Sequence, residues 1–276
     1  MTNQSFVQLN DGHKIPQLGL GVWRAEPTEA TLAVRKALEV GYRHIDTAAI
    51  YQNEEGVGEG LWSADVMRSD IFLTTKLWND AQGYDSTLIA FEESLERLGV
   101  EYVDLYLIHW PTPNRGMYVD TWKALIALKN DGRVRSIGVS NFNSEHLVRI
   151  IGETGVKPVL NQIELHPRFQ QTALRAFHAK HGIATQSWSP LGQGTSLADP
   201  VIGGIARKHG RTPAQVIIRW HLDSGLIAIP KSITSSRIEE NFSVFDFTLD
   251  AEDMETIAKL DSVSGRIGPD PLTADF

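Results

Sequence analysis

At 276 residues the chain can bury a substantial core, and 42% hydrophobic with 22% charged content are ordinary globular values that favour neither a disordered nor a fibrous class. A net charge of −8 argues against a general nucleic-acid binder, and the lack of cysteine excludes disulfides and thiolate chemistry. No basic-then-apolar leader follows Met1, and no apolar run approaches the roughly 18 residues of a membrane span, so a soluble cytoplasmic protein is expected.

Residues 6–9 and 14–16 around Asn10-Asp11-Gly12 predict a β-hairpin with an Asp-Gly turn. A short Gly-rich strand follows at 18–21. Ala30, Ala33, Val34, Ala37 and Leu38 then share a helical face that ends at Gly41. The strand 42–46 leads to a helical segment over 53–64. The same two-beat unit recurs. Strands at 71–76, 103–109 and 134–140 are followed by helices carrying Phe91 and Leu95, Trp122 and Leu125, and Leu147 and Ile150. Strands at 158–162 and 183–187 are separated by a helix over 172–180. Thr212-Pro213-Ala214-Gln215 opens a helix that runs to Gly225, and 226–229 is the last strand. A helix from Ser235 or Ser236 and another over 250–260 precede a tail that reads as a surface loop.

Eight strands alternating with helices imply parallel strands and crossover connections. The predicted fold is α/β, a (β/α)8 TIM barrel with an N-terminal β-hairpin and two extra helices, forming one domain over 1–276. An open doubly wound sheet is the alternative.

In such a barrel the C-terminal strand ends converge on one face, where chemistry is done. Here they carry Asp46, Lys76, His109, Ser140-Asn141, Gln162, Trp188 and Lys231, where a packed core would prefer Val, Ile and Leu. An Asp just past a buried strand is costly to desolvate unless a cation meets it, and Lys76 is its candidate partner. Tyr51 follows five residues after Asp46. A cation beside a phenol favours phenolate, so the Tyr51 pKa is expected to fall and make it a competent general acid. His109 can donate to a substrate oxygen. Each of the four also has a bland reading, as a structural ion pair, a half-buried tyrosine or a core histidine, but the barrel puts them all on one rim. His44 reads as structural.

Six motifs in order then resemble the aldo-keto reductases: Gly-Tyr-Arg-His-Ile-Asp46-Thr-Ala-Ala-Ile-Tyr51-Gln-Asn-Glu, Thr-Thr-Lys76-Leu-Trp, Leu-Ile-His109-Trp-Pro, Ile-Gly-Val-Ser140-Asn141-Phe, Asn-Gln162-Ile-Glu-Leu-His-Pro and Ile-Pro-Lys231-Ser. The resemblance implies an NADPH-dependent reductase of aldehydes and ketones, with Asp46, Tyr51, Lys76 and His109 as catalytic tetrad and Tyr51 as proton donor. It places Gly21, Val22, Ser140, Asn141 and Gln162 at the cofactor, with Trp188 stacking on the nicotinamide where many members carry Tyr. Leu191 and Gln193 fall at the pyrophosphate, Lys231, Ser232 and Arg237 at the 2′-phosphate, and Glu240 and Asn241 near adenine. Some bacterial members carry a further Arg where Thr234 stands, which leaves the strength of the NADPH preference open. The family has no Rossmann domain, and Gly56-Val-Gly58-Glu-Gly60 reads as structural rather than as a dinucleotide fingerprint.

Trp23, Trp78 and Trp110 follow strand ends and are read as substrate-pocket walls, with packing as the bland alternative; Trp62, Trp122 and Trp220 fall inside helices and are assigned to the core. Within the family the chain looks most like the bacterial branch containing 2,5-diketo-D-gluconate reductases, which implies a monomer acting on a small carbonyl compound, with keto-sugars and diketo acids as candidates. Two rival functions are a class I aldolase forming a Schiff base on Lys76, and an NADPH-binding regulatory subunit without turnover. No metal site is expected, since His44-x-Asp46 lacks a second nearby His and Lys76 would repel the ion.

Overall fold

The computed structural model describes residues 4–276. Strands β1 (Phe6–Gln8) and β2 (Lys14–Pro16) pair antiparallel about the Asp-Gly turn, with Gly12 in the left-handed region at φ +93°. The barrel begins with β3 (Leu20–Gly21), α1 (Pro27–Val40), β4 (His44–Asp46), α2 (Glu54–Trp62), β5 (Phe72–Leu77) and α3 (Tyr84–Leu98). It continues through β6 (Val103–Ile108), α4 (Tyr118–Asn130), β7 (Val134–Ser140), α5 (Ser144–Thr154), β8 (Leu160–Glu164) and α6 (Thr172–His181). After β9 (Ala184–Trp188) come α7 (Pro200–His209) and α8 (Pro213–Asp223), and after β10 (Ile227–Ala228) come α9 (Ser235–Phe242) and α10 (Ala251–Ala258).

All eight strands from β3 to β10 pair in parallel in chain order. Parallel bridges from Leu18 to Ala228 and from Gly21 to Lys231 close β3 onto β10, which excludes the open sheet. Two extra helices are present, as expected. One of them, α7, falls in a stretch where the sequence reading placed no element. Its signals are ordinary: Asp199 caps it by accepting from Val201 N at 2.9 Å, Pro200 opens it, and Gly210 ends it. The Gly203-Gly204 pair inside weakens the pattern.

The barrel interior is divided along its axis. Phe72, Leu105, Leu107, Leu160 and Ile227 fill the lower part, and the hairpin seals that end by inserting Leu9 and the fully buried Ile15. Burying such a side chain is worth about 1.5–3 kcal/mol. Nearer the C-terminal ends of their strands stand Asp46, Lys76, Ser140 and Gln162, with Gln162 one pleat repeat above Leu160 and Lys76 two above Phe72. Outside the strands, Val34, Leu38, Ile45, Leu73, Phe91 and Trp122 form the layer that the helices cover. The glycines of α2 are packing positions: side chains at Gly56 and Gly58 would strike the backbones of Pro27 and Leu98, so α2 lies close against its neighbours.

Trp62 departs from expectation. It is 65% exposed rather than in the core, while Trp122 and Trp220 are buried. Val57 and Leu61 define the packed face of α2, and the residue after Leu61 is rotated off that face. Its Nε1 donates to Gly99 O at 3.2 Å. The tail also differs: it is no plain surface loop but crosses the top of the barrel beside the strand ends.

Candidate active site

The carboxylate that ends β4 meets the cation of β5. Lys76 Nζ donates to Asp46 Oδ1 at 2.6 Å, to Thr47 O at 2.8 Å and to the Tyr51 hydroxyl at 3.4 Å. Gln162 Nε2 donates to the other oxygen, Asp46 Oδ2, at 2.8 Å. Asp46 and Lys76 are both fully enclosed, so each needs the other's charge. Tyr51 ends a single 3-10 turn after β4, which returns its ring over Lys76 with Nζ 4.9 Å from the ring centre. His109, next after β6, sets its ring edge-on against Tyr51 at 5.7 Å and against Trp78 at 5.2 Å. The three strand-end residues Asp46, Lys76 and His109 and the following Tyr51 are therefore brought together.

The electrostatics correct one expectation. The Tyr51 pKa is raised above 10.0, not lowered: burial disfavours the phenolate more than Lys76 favours it, and Asp46 adds repulsion. The ammonium is at 3.4 Å from the phenol but at 2.6 Å from Asp46, so much of its charge is already answered. Burial draws the Lys76 ammonium down, but Asp46 and then Tyr51 outweigh it and keep it protonated. Burial pushes Asp46 up, against the opposing pull of Lys76 and Gln162. Burial, with Lys76 adding to it, holds His109 well below 6.5, so the imidazole is neutral. Its buried Nδ1 has no partner among the described residues. This arrangement stores a proton on a phenol, keeps a cation ready for the phenolate, and presents a neutral imidazole beside it. His44 is structural as read: its Nδ1 lies 3.2 Å from Pro16 O, and burial lowers its pKa to about 3.

A cavity of about 610 Å³ opens above these groups, a size suited to a small ligand. Trp23, Trp78 and Trp110 all line it, as do Gly21, Asn141, Gln162, Trp188, Gln193 and Lys231. Gln162 spends its amide hydrogens on Asp46 and Gln186, leaving Oε1 for a ligand. Asn141 stands at φ +62° just past β7; it donates to His109 O at 2.9 Å and accepts from Trp188 Nε1 at 2.8 Å. Ser140 Oγ lies behind it, donating to Gln162 O at 2.9 Å.

The remaining expected cofactor residues do not line this cavity. The Val22 side chain is in the core, although its backbone N donates to Asp46 O at 3.3 Å. Leu191 is half-buried against the core. Ser232 and Asn241 are buried, and Glu240 accepts from Thr212 Oγ1 at 2.8 Å. Arg237 is exposed on the first turn of α9, and neither it nor Lys231 makes an ion pair among the described residues.

Several site residues escaped the sequence reading. Asn53 is fully buried; it donates to Val22 O at 2.9 Å and Ala25 O at 3.0 Å and accepts from Thr47 Oγ1 at 2.8 Å, tying the Tyr51 turn to the loop after β3. Arg24 stacks over Trp23 at 4.2 Å on the cavity rim. The tail contributes Ile267, Gly268, Pro269 and Phe276, whose ring stacks on Trp78 at 5.8 Å and meets Trp110 edge-on at 5.2 Å. Glu164, at the end of β8, holds that tail. Asn53 and Glu164 both lie inside the quoted motifs. Glu164 carries the same signal as Asp46, a carboxylate closing a buried strand.

The sequence model of the aldo/keto reductase family matches residues 17–262. An aldo-keto reductase from Mycolicibacterium smegmatis is 58% identical over 270 residues, covering 98% of each chain. The methylglyoxal reductase DkgA of Salmonella typhimurium is 56% identical over 273 residues, again with 98% of each covered. Among solved structures, a mutant of Gox0644 in complex with NADPH superposes with a TM-score of 0.96 at 60% identity, covering 99% of both chains. With a barrel, a rim and a match of this extent, the chain belongs to the aldo/keto reductase family.

Proposed function

We propose that this family member reduces aldehydes and ketones with NADPH, Tyr51 giving the proton to the carbonyl oxygen. The observation that carries the reading is Lys76 Nζ reaching both Asp46 and the Tyr51 hydroxyl beside a neutral His109 at the floor of an aromatic cavity. The residues fit the coenzyme. Trp188 offers a ring to a planar partner, and Gln162 Oε1 with Ser140 and Asn141 offers polar partners to a carboxamide. Gly21, Gln193 and Lys231 line the same cavity, with Leu191 two residues before Gln193; Lys231 and Arg237, neither in an ion pair among the described residues, stand near the N-terminus of α9 and suit a phosphate. Ser232 lies in the same loop, and Glu240 and Asn241 follow on the helix. Gox0644, of the same fold, was solved with NADPH.

When bound, the dihydronicotinamide supplies a hydride to the carbonyl carbon. The chain's own residues handle the oxygen. His109 orients it as a neutral donor, and Tyr51 protonates it as negative charge develops. Lys76 then lies against the phenolate that remains, while Asp46 and Gln162 keep the lysine in place. The raised Tyr51 pKa fits this order: the proton stays on the phenol until a basic oxygen arrives. Trp23, Trp78 and Trp110 give an aromatic enclosure with few polar demands, so the substrate class is small carbonyl compounds taken broadly. A Schiff base on Lys76 is disfavoured, because Asp46 keeps the amine protonated.

The test is loss of NADPH absorbance with methylglyoxal, the substrate in the name of the Salmonella relative, then with keto-sugars and diketo acids, each repeated with NADH. Tyr51→Phe should lose turnover about 10²- to 10⁴-fold with NADPH binding retained. Near-normal turnover would sink the role given to Tyr51. NADPH binding without reduction of any carbonyl would favour a regulatory subunit.

A further inference from the structure

Glu164 is a buried carboxylate at the catalytic end of β8 that takes no part in the chemistry above. Its partners all come from outside the strand. Oε1 accepts from Ile267 N at 2.6 Å and Oε2 from Gly268 N at 2.8 Å, with His166 Nε2 3.1 Å from Oε1. Charge-assisted hydrogen bonds of this kind are the strong ones. Burial raises the Glu164 pKa, but His166 and the two backbone N–H groups outweigh it and leave the group below its ordinary value. Glu164 is the direct strand neighbour of Trp188. The tail runs into the corner between them: a Cβ on Gly268 would stand 2.5 Å from Trp188 Cη2 and 3.0 Å from Glu164 Oε2. Trp188 is thus fixed at its Nε1 by Asn141 and braced at the far edge of its ring by Gly268.

We propose that Glu164 is a positioning residue that seats the Trp188 ring by clamping the tail at Ile267 and Gly268 against it. The claim rests on the coenzyme reading, since the seated ring is the one offered to the nicotinamide. Without the clamp, Gly268 leaves the ring edge and Trp188 gains freedom that coenzyme binding must remove. The cavity wall formed by Ile267, Gly268 and Pro269 moves with it.

The experiment is NADPH titration of Glu164→Gln in two backgrounds, the natural chain and Trp188→Ala. The amide keeps the shape but turns an N–H toward one of the two tail N–H groups. NADPH binding should weaken about three- to tenfold in the natural chain, the worth of a well-placed ring contact, and under about twofold where Trp188 is absent. Gly268→Ala should reproduce this pattern with the carboxylate intact, and it carries the test if the Glu164 variant folds poorly. Equal losses in both backgrounds, or no loss in the natural chain, would overturn the proposal. Trypsin cleavage after Arg266 reads the clamp apart from the coenzyme. Faster cutting in Glu164→Gln supports the clamp and unchanged cutting refutes it, whereas a natural chain that binds no NADPH would strike the coenzyme reading instead.

Discussion

Replacing Lys76 with methionine keeps the stem and removes an ammonium that lies 2.6 Å from Asp46 Oδ1 and 3.4 Å from the Tyr51 hydroxyl. At that longer distance and an effective dielectric of about 20, a cation favours a phenolate by roughly 5 kcal/mol. Asp46 cancels part of this. A residue of roughly 2–4 kcal/mol predicts turnover about 30- to 1,000-fold lower in Lys76→Met. Stability should fall as well, because Asp46 keeps only the Gln162 amide; removing one partner of a buried pair costs about 3–5 kcal/mol. The loss depends on pH. Without Lys76, the folded-state pKa of Asp46 climbs further above the unfolded value near ~3.9, so the penalty is absent below that value and grows as pH rises toward the folded one. The variant should therefore lie nearest the natural chain in acid and furthest from it at neutral pH. Adding Asp46→Asn removes the stranded charge, and should return stability without returning turnover. Urea unfolding at acid and neutral pH, with NADPH oxidation by an aldehyde, measures both. Turnover within about threefold of the natural chain, or a double variant no more stable than Lys76→Met at neutral pH, would refute the reasoning.

Asn53→Ala should cost about 2–4 kcal/mol, since Val22 O, Ala25 O and Thr47 Oγ1 lose a buried partner, and kcat should drop more than NADPH affinity because the Tyr51 turn is what loosens. Thermal melts and steady-state kinetics check it. Arg237→Ala should weaken NADPH about 10- to 100-fold and leave NADH binding unchanged, a comparison that fluorescence titration makes directly. Burial lowers His44 to about 3, His178 to about 4 and His221 to about 3, so each is neutral when folded and takes up a proton on unfolding below about 6.5. The unfolded chain binds more protons there, so stability falls with falling pH, by up to roughly 2 kcal/mol per histidine between neutrality and pH ~5. Urea unfolding across that range should show the slope, and a flat profile would contradict it.

Much of this was legible in the chain because strands and helices alternate with unlike periods. Asp46, Lys76 and His109 stood out because charged and polar groups closed apolar runs, and the barrel did the rest by bringing strand ends together. The sense of the Tyr51 shift was not legible. It depends on the difference between 2.6 and 3.4 Å around one ammonium and on the depth of the phenol, neither of which spacing along the chain carries. The tail was opaque for a related reason. Gly, Pro and Asp mark irregular backbone, and nothing local says that Gly268 will meet Trp188 or that Phe276 will stack on Trp78. Trp62 shows the opposite limit, where a helix was placed well and a single residue at its end faced the other way.

The hairpin that closes the lower end of the barrel has a consequence for traffic. With Leu9 and Ile15 packed among Leu105, Leu107 and Leu160, the barrel is a well with a floor and not a passage. Whatever reaches Tyr51 arrives from above and leaves the same way. In the proposed reaction the phenol gives up its proton at the bottom of that well, beneath the mouth that its ligands occupy. On that reading coenzyme, substrate and products share one doorway, and a new cycle waits for the old one to clear it.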